Sequence, residues 1–525
     1  MEKPGSLFCC FQILWLLTLC VPASGGDDVP LHQRLDQIIA MQFGDDAAAP
    51  IADDAEFFRR VWLDLAAQIP PAERFRKFLA DPSTDKRSRV IDELLAAPTY
   101  VNRMQQTFHV MLMERRGDHE SWRKFLQLAF AENKSWDTMV RAMLEPQPSQ
   151  DSHQGASFFL TKRLESYGQN PIDHPGLTRD IGRLFLGVDL QCAQCHDHLF
   201  VDEYKQLDFQ GLLAVTQTLK PATVDPIPLV SEKPLTAKLE FVSVFDSTPK
   251  ATGPRIPFGK EFDVPSELPQ DSVYSPLALV AAELPCAGNP QFSRNIANRI
   301  WHLMLGRGLV EPLDSHHTGN PSTHPELLDL LATELAAHQF DLKWLLREIA
   351  LSETYQRSSR VADAGADVRK LLPHHYLVAI PKRLSAEQAA QSFVQAIGGG
   401  KNEEDRLKII SLLQPLFVSA LASPAREHED HRHPSVQSAL FFANDKDVLV
   451  AIGRQPGNLV DRLMGMEEDG KLADELYLSI VSRLPSDEER MELASFLAAQ
   501  PDQREARLVH WIWALLASTE FNVNH

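Results

Sequence analysis

Along most of the chain, apolar positions recur at intervals of three and four residues, the spacing that lines one face of an α-helix. The pattern is strongest from Leu31 to about Leu144. Phe57, Phe58, Val61, Trp62 and Leu65 share a stripe that Pro70-Pro71 ends, and further helices are predicted at Ala72 to Ala80, Ser88 to Ala97, Trp122 to Phe130 and Trp136 to Leu144. The aromatic residues on these faces read as core rather than as a cofactor box. Glu145 to Pro175 is polar, with proline and glycine, and predicts a connection. From Leu177 to Leu190 an amphipathic pattern resumes through Ile181, Leu184, Phe185 and Val188 and leads into Cys192. Phe209, Leu212, Leu213 and Val215 predict a helix that packs beside it.

Between Lys220 and Ser275 the pattern changes. Prolines at 221, 226, 228, 234, 254, 257, 265 and 269 break helices, while Thr236 to Phe245 alternates as a strand does. This segment reads as an inter-domain connection with a small β element, long enough to carry a loop over the region of Cys192. Helical patterning then returns with start signals. Ser275-Pro276 opens one helix, and Thr323-His324-Pro325-Glu326 reads as a capping box ahead of Leu327, Leu328, Leu331 and Leu335. Ser385 with Gln388 and Ser486 with Glu489 read as two more boxes, and Gly398 to Gly400 as a stop. The expectation is a mostly α chain of two helical domains, 30–219 and 276–525, joined by the Pro-rich segment 220–275 with its small β element.

Composition adds two constraints. A formal net charge of −19 with no basic run argues against a nucleic-acid or anionic-membrane partner, because the field repels polyanions. Residues 1–25 read as a secretory leader: Lys3, an apolar run from Leu7 to Val21, then Pro22-Ala23-Ser24-Gly25. No later segment has the length and apolarity to span a membrane once the leader is cleaved. The expected location is therefore the periplasm or cell surface.

The densest candidate chemistry is Gln191-Cys192-Ala193-Gln194-Cys195-His196-Asp197-His198-Leu199-Phe200. Cys192, Cys195 and His196 form the C-x-x-C-H pattern of haem c attachment, in which two thiols take the porphyrin vinyl groups and the imidazole takes the iron. Three other readings compete: zinc or another divalent metal held by Cys192 and Cys195 with His198 or Asp197, a disulfide, and a plain structural turn. Haem attachment to this pattern takes place outside the bacterial cytoplasm, so leader and motif support each other. Without the leader only Cys192, Cys195 and Cys286 remain, an odd count that builds no disulfide scaffold. Met304 and His302 are the conceivable distal ligands.

Other constellations are weaker. His428, His431 and His433 form an acidic, histidine-rich loop that Pro434 keeps from being a regular ligand face. His316-His317 and His374-His375 read as structural or surface pairs. Arg294, Asn298 and Arg299 with Gly306-Arg307-Gly308 fit an anion site or, equally, helix-end ion pairs and a glycine turn. There is no G-x-S-x-G elbow, P-loop or dinucleotide fingerprint, so whether the chain is an enzyme stays open.

Read together, these segments resemble the planctomycete cytochrome-associated proteins that join a domain of unknown function numbered 1549 to one numbered 1553. In the first domain the likeness rests on Arg59-Arg60-Val61-Trp62-Leu63-Asp64-Leu65, Phe78-Leu79-Ala80-Asp81-Pro82, and Phe185-Leu186-Gly187-Val188 leading to the motif. In the second it rests on Asn295 to Trp301, Gly306 to Val310, Thr323 to Leu328, Asp341 to Trp344, Thr354-Tyr355-Gln356, Arg383 to Gln388, and the closing Trp513-Ala514-Leu515-Leu516 with Glu520-Phe521. The resemblance implies export and a cytochrome-like association but carries no activity. Leu199 stands where the family leads one to expect proline. The separate N-terminal cytochrome-like domain of some relatives is missing, so any haem is expected on the motif itself. The leading expectation is a monohaem electron-transfer protein with an unknown redox or surface partner. The alternatives are a non-redox surface module stapled by a zinc-type site, and an exported hydrolase.

Overall fold

The computed structural model describes residues 29–42, 48–146, 153–166, 169–224, 227–267, 274–360, 372–400, 402–427 and 436–525. The leader and the loop with His428, His431 and His433 lie outside them. Helix makes up 58% of the structure and the sheets are small two-stranded ones, so the chain is mostly α as its periodicity predicts. No described helix is long and apolar enough to cross a membrane.

Most predicted elements stand within a residue or two of their expected ends: Ala72–Ala80, Lys86–Ala96, Glu120–Ala131 and Trp136–Leu144. Several differ for identifiable reasons. Pro98 opens a helix, Pro98–Met113, because proline at a first helical position gives up only an amide that would have no partner there. The connection 145–175 holds a helix, Phe158–Arg163, too short to show a period, and the next helix starts at His174 with Asp173 accepting from the Gly176 amide at 2.8 Å. That helix does not run to Leu190. It ends as His174–Ile181, passes through a wide turn at Gly182–Leu186, and stops at Gly187, whose φ of 69° is left-handed.

Capping behaves unevenly. Ser385 with Gln388 and Ser486 with Glu489 form both reciprocal bonds of the box. The expected box at Thr323 does not form: the Thr323 amide and hydroxyl both go to the Leu309 carbonyl, and Pro325–Ala337 starts with no side-chain cap. In the Pro-rich segment two antiparallel hairpins stand where one strand was expected, Leu219–Val224 with Ile227–Glu232 and Leu239–Ser243 with Asp246–Thr252. A third pair, Lys382–Arg383 with Val523–Asn524, ties the C-terminus down.

Two hydrophobic cores organise the described residues. One gathers apolar side chains from Leu31 to Tyr355 with Tyr376 and Leu478, and the other runs from Leu384 to Phe521 with Leu63 and Ile69. The helix Asp54–Ala66 serves both, and every residue from Glu56 to Ala66 on it is buried. Phe57, Phe58, Val61, Trp62 and Leu65 face the first core and Leu63 the second.

Its charged residues find partners across long sequence separations, although Arg59 Nε and Trp62 Nε1 find none among the described residues. The Arg59 guanidinium donates to the carbonyls of Phe521 at 2.9 Å and Glu520 at 3.1 Å. Arg60 donates to the carbonyls of Tyr355 and Arg357, each at 2.7 Å, and pairs with Glu56 at 2.6 Å. Asp64 accepts from the Lys382 ammonium at 2.6 Å, the Tyr355 hydroxyl at 2.8 Å and the Asn524 amide at 2.9 Å. Burial pulls the Lys382 pKa down against the opposing pull of Asp64, so the pair depends on its carboxylate. Replacing it as Asp64→Ala leaves the Lys382 ammonium with the Leu303 and Met304 carbonyls but no counter-charge, and the Tyr355 and Asn524 donors without an acceptor. A loss of about 3–5 kcal/mol in chemical denaturation is expected, against a far smaller loss for Asp53→Ala at the exposed end of the same helix.

Candidate functional site

Three stretches distant in sequence build the surface around Cys192. The first is the approach. Gly187 lies against the segment that follows Leu313: the His316 amide donates to the Gly187 carbonyl at 3.0 Å, Val188 bridges to Ser315, and the Asn295 side chain donates to the Leu184 carbonyl at 2.8 Å. A β-carbon on Gly187 would stand 2.7 Å from the His316 ring and 2.9 Å from Asn295 Oδ1, so no other residue fits.

Under this approach lies a buried ion layer. Arg183 pairs with Glu114 at 2.6 Å, Asp180 at 3.1 Å and Asp314 at 3.2 Å; Asp180 also holds Arg163 at 2.8 Å and Arg116 at 3.0 Å, and Arg299 pairs with Asp314. Burial would raise the Asp180 pKa, but Arg163, Arg183 and Arg116 hold it below the ordinary value.

The motif itself is a single 3-10 turn, Cys192–Gln194, pinned by its backbone. Ala193 is fully buried, the Gln194 carbonyl accepts from Gln210 Nε2 at 2.9 Å, and Gln194 Oε1 accepts from Arg179 at 2.6 Å. Gln210 sits on the predicted helix, Gln206–Thr216, whose first amide is capped by Asp197 Oδ1 at 2.8 Å. Cys192 and Cys195 are exposed free thiols on this turn.

The second hairpin closes over one side. The Val244 amide donates to the Cys195 carbonyl at 3.1 Å, Gln206 Nε2 donates to the Val242 carbonyl at 3.0 Å, and the Phe245 ring lies 4.8 Å from the His196 ring. On the other side the Tyr204 hydroxyl donates to the His316 carbonyl at 3.1 Å and its ring meets His198 and His317 edge-on. Leu199, Phe200, Val242, Val244, Phe245 and Phe258 form an exposed apolar rim, Phe200 at 88% and Phe245 at 69% of full exposure.

The two histidines have opposite roles. His196 Nδ1 lies 2.6 Å from the Asp197 carbonyl oxygen, which only accepts, so the ring hydrogen is on Nδ1 and the Nε2 lone pair is open. His198 Nδ1 accepts from the amides of Phe200 at 3.2 Å and Val201 at 3.0 Å, which puts its hydrogen on Nε2 and makes the ring a brace for the loop. Asp197 is likewise engaged as a helix cap. Among the described residues no three His, Cys, Asp or Glu side chains converge as a metal-ligand group.

The remaining sequence candidates separate from the motif. Met304 is buried in the first core, and His302 lines a different cavity, so neither stands as a distal ligand. Arg294 pairs with Asp329, Arg299 with Asp314, and Asn298 exchanges both its amide atoms with Val310, so no anion site assembles there. His374 and His375 pack ring to ring on a short turn. His316, read from the sequence as structural or surface, is structural: it forms part of the clamp. The shell residues Tyr204, Gln210, Arg179 and Phe245 were not anticipated. Gln206 and Gln210, polar at i and i+4 in an otherwise apolar helix, were the one signal available.

A family model described as protein of unknown function (DUF1549) matches residues 34–220, and one described as protein of unknown function (DUF1553) matches 279–408. The chain is a paired DUF1549–DUF1553 protein. No curated protein and no solved structure matches it. In this pair the DUF1549 region carries the motif and its flanking helices, and the DUF1553 region supplies the His316 clamp. The hairpin over His196 comes from between the two.

Gly187→Ala is expected to destabilise the paired protein by about 2 kcal/mol or more, through the left-handed φ and the contact with His316, as read by denaturant midpoint. His316 itself is pushed down to about 4, by burial first and then by Arg299. Between that value and the ordinary one near 6.5, the unfolded chain binds a proton the folded chain refuses, so stability falls as pH falls through that window. His316→Asn should flatten the slope of stability against pH between about 4.5 and 6.5 by up to one proton, about 1.4 kcal/mol per pH unit.

Proposed function

We propose that Cys192, Cys195 and His196 hold a single haem c and that the protein passes electrons to a partner docking on the apolar rim. The observation that carries this reading is the His196 hydrogen bond. An imidazole fixed through Nδ1–H to a backbone carbonyl presents Nε2 in the state a metal requires, with its ring orientation set by the second shell. The two thiols support it, because both are exposed on one turn and free to add across vinyl groups. The rim supports it as well: Val244, Phe245 and Phe200 offer an apolar surface beside the ligand where charged residues would be the norm.

When bound, haem c supplies a one-electron iron couple at this surface. The chain's own residues orient and shield. Asp197 holds the His196 tautomer through its carbonyl and caps the next helix through its carboxylate, Phe245 packs on the imidazole, and Gln210 and Arg179 keep the turn from opening. A zinc-type staple is less well supported, since His198 would have to give up the two backbone amides it accepts from, and among the described residues no three ligand side chains converge. Export through residues 1–25 belongs to the same proposal, and a hydrolase reading finds no assembled set of groups among the described residues.

Expression with the leader in a host that matures c-type cytochromes tests this. A reducible Soret band and a haem stain that survives a denaturing gel are expected, both lost in Cys192→Ser with Cys195→Ser and in His196→Ala. Colourless wild-type protein would refute haem attachment, and metal analysis of that sample would then separate a zinc-bearing site from a bare turn.

A further inference from the structure

A second site lies away from the motif, where the two cores meet. A cavity of about 440 Å³ opens between the helices Asp54–Ala66, Pro98–Met113 and Pro290–Leu305 and the segment leading into Ala386–Ile397. Its size is that of a small-molecule site, and its walls alternate apolar side chains such as Met111 and Leu384 with polar ones.

Its buried charges are paired with one exception, while Arg383 and Glu427 stand exposed at its edge. Asp64 is saturated by Lys382, Tyr355 and Asn524, Glu387 takes Arg115 on both oxygens at 2.9 and 3.3 Å, and Glu114 takes Arg183. Arg103 is 6% exposed, and its guanidinium makes one hydrogen bond, from Nε to the Asp64 carbonyl at 3.2 Å. Its two terminal nitrogens have no partner among the described residues and border the cavity. Burial lowers the Arg103 pKa, with Asp64 and Glu387 opposing from a distance.

A guanidinium whose residue is buried but whose two unpartnered terminal nitrogens keep access to a cavity is a ready fork for a planar anion. We infer that this cavity binds a small organic monocarboxylate, its carboxylate on the Arg103 fork and its apolar body against Met111 and Leu384. Arg103 is the single unmatched cation among the buried lining groups, which sets the ligand's charge at one. With the other buried charges matched, a phosphate dianion would carry one charge without a buried counterpart, and the apolar wall favours a ligand with a hydrocarbon body. The inference stands apart from the haem reading, since no residue of 191–200 lines this cavity.

Isothermal titration of the full-length protein with benzoate, hexanoate, succinate and inorganic phosphate tests it. Saturable one-to-one binding of benzoate or hexanoate is expected, with succinate weaker and phosphate without effect. Arg103→Gln should weaken binding by about 10- to 100-fold, the range for a lost charge-assisted pair, and Arg103→Lys by less. Met111→Trp, which fills the cavity and leaves the ion pairs in place, should abolish binding and serves if Arg103→Gln does not fold. No saturable binding of either monocarboxylate, unchanged affinity in the Arg103 and Met111 variants, or phosphate binding as tightly as benzoate would each overturn the inference.

Discussion

The buried polar chemistry of one helix holds this chain together. Asp54–Ala66 is enclosed along nearly its whole length, which for an amphipathic sequence would be untenable, because Glu56, Arg59, Arg60 and Asp64 would be desolvated without return. It is tenable because each of these groups meets a partner delivered by the far C-terminal half: carbonyls at Tyr355, Arg357, Glu520 and Phe521, and the side chains of Lys382 and Asn524. The helix therefore cannot be buried until residues some 300 to 460 positions later have arrived. Its folding is coupled to both cores at once.

The motif surface is built on a different principle. Its turn makes few apolar contacts beyond Ala193, and what fixes it is a ring of hydrogen bonds to backbone atoms from Gln210, Val244 and Gln206, over the ion layer around Asp180 and Arg183. Such bonds are each worth only about 1 kcal/mol net. Their value here is geometric: they leave the thiols of Cys192 and Cys195 uncommitted, and His196 bound only through Nδ1, while the backbone beneath them is held. Rigidity comes from the main chain and chemical freedom stays with the side chains.

Much of this was legible in the sequence. Periodicity located the helices because their apolar stripes are regular, and C-x-x-C-H marked the candidate site because its spacing is itself the signal. Three things were not legible, for physical reasons. The end of the Leu177 helix was lost because Val188 and Leu190 stay buried after Gly187 breaks the helix, so the apolar pattern continues without the structure. The cap at Thr323 failed because its hydroxyl donates to a long-range acceptor, the Leu309 carbonyl, and does not accept from a helix amide, so His324 takes the N-cap position. The closure of the Asp246 hairpin over His196 and the sharing of Asp54–Ala66 between two cores are long-range facts, and local patterns do not encode pairings hundreds of residues apart.

The two histidines of the motif show how far such local encoding goes. His196 and His198 are two residues apart with the same intrinsic chemistry, and either is a credible ligand on the sequence alone. Backbone geometry separates them: a carbonyl oxygen faces Nδ1 of one and two amide hydrogens face Nδ1 of the other. The first ring donates at Nδ1 and the second accepts there, so the second carries its hydrogen on Nε2. To exchange their roles, the loop from Asp197 to Tyr204 would have to refold, releasing the cap on Gln206 and the Tyr204 contact to His316 together. Which imidazole keeps Nδ1 as a donor and which as an acceptor is thus decided by the clamp between the two domains, and not by the motif's spacing.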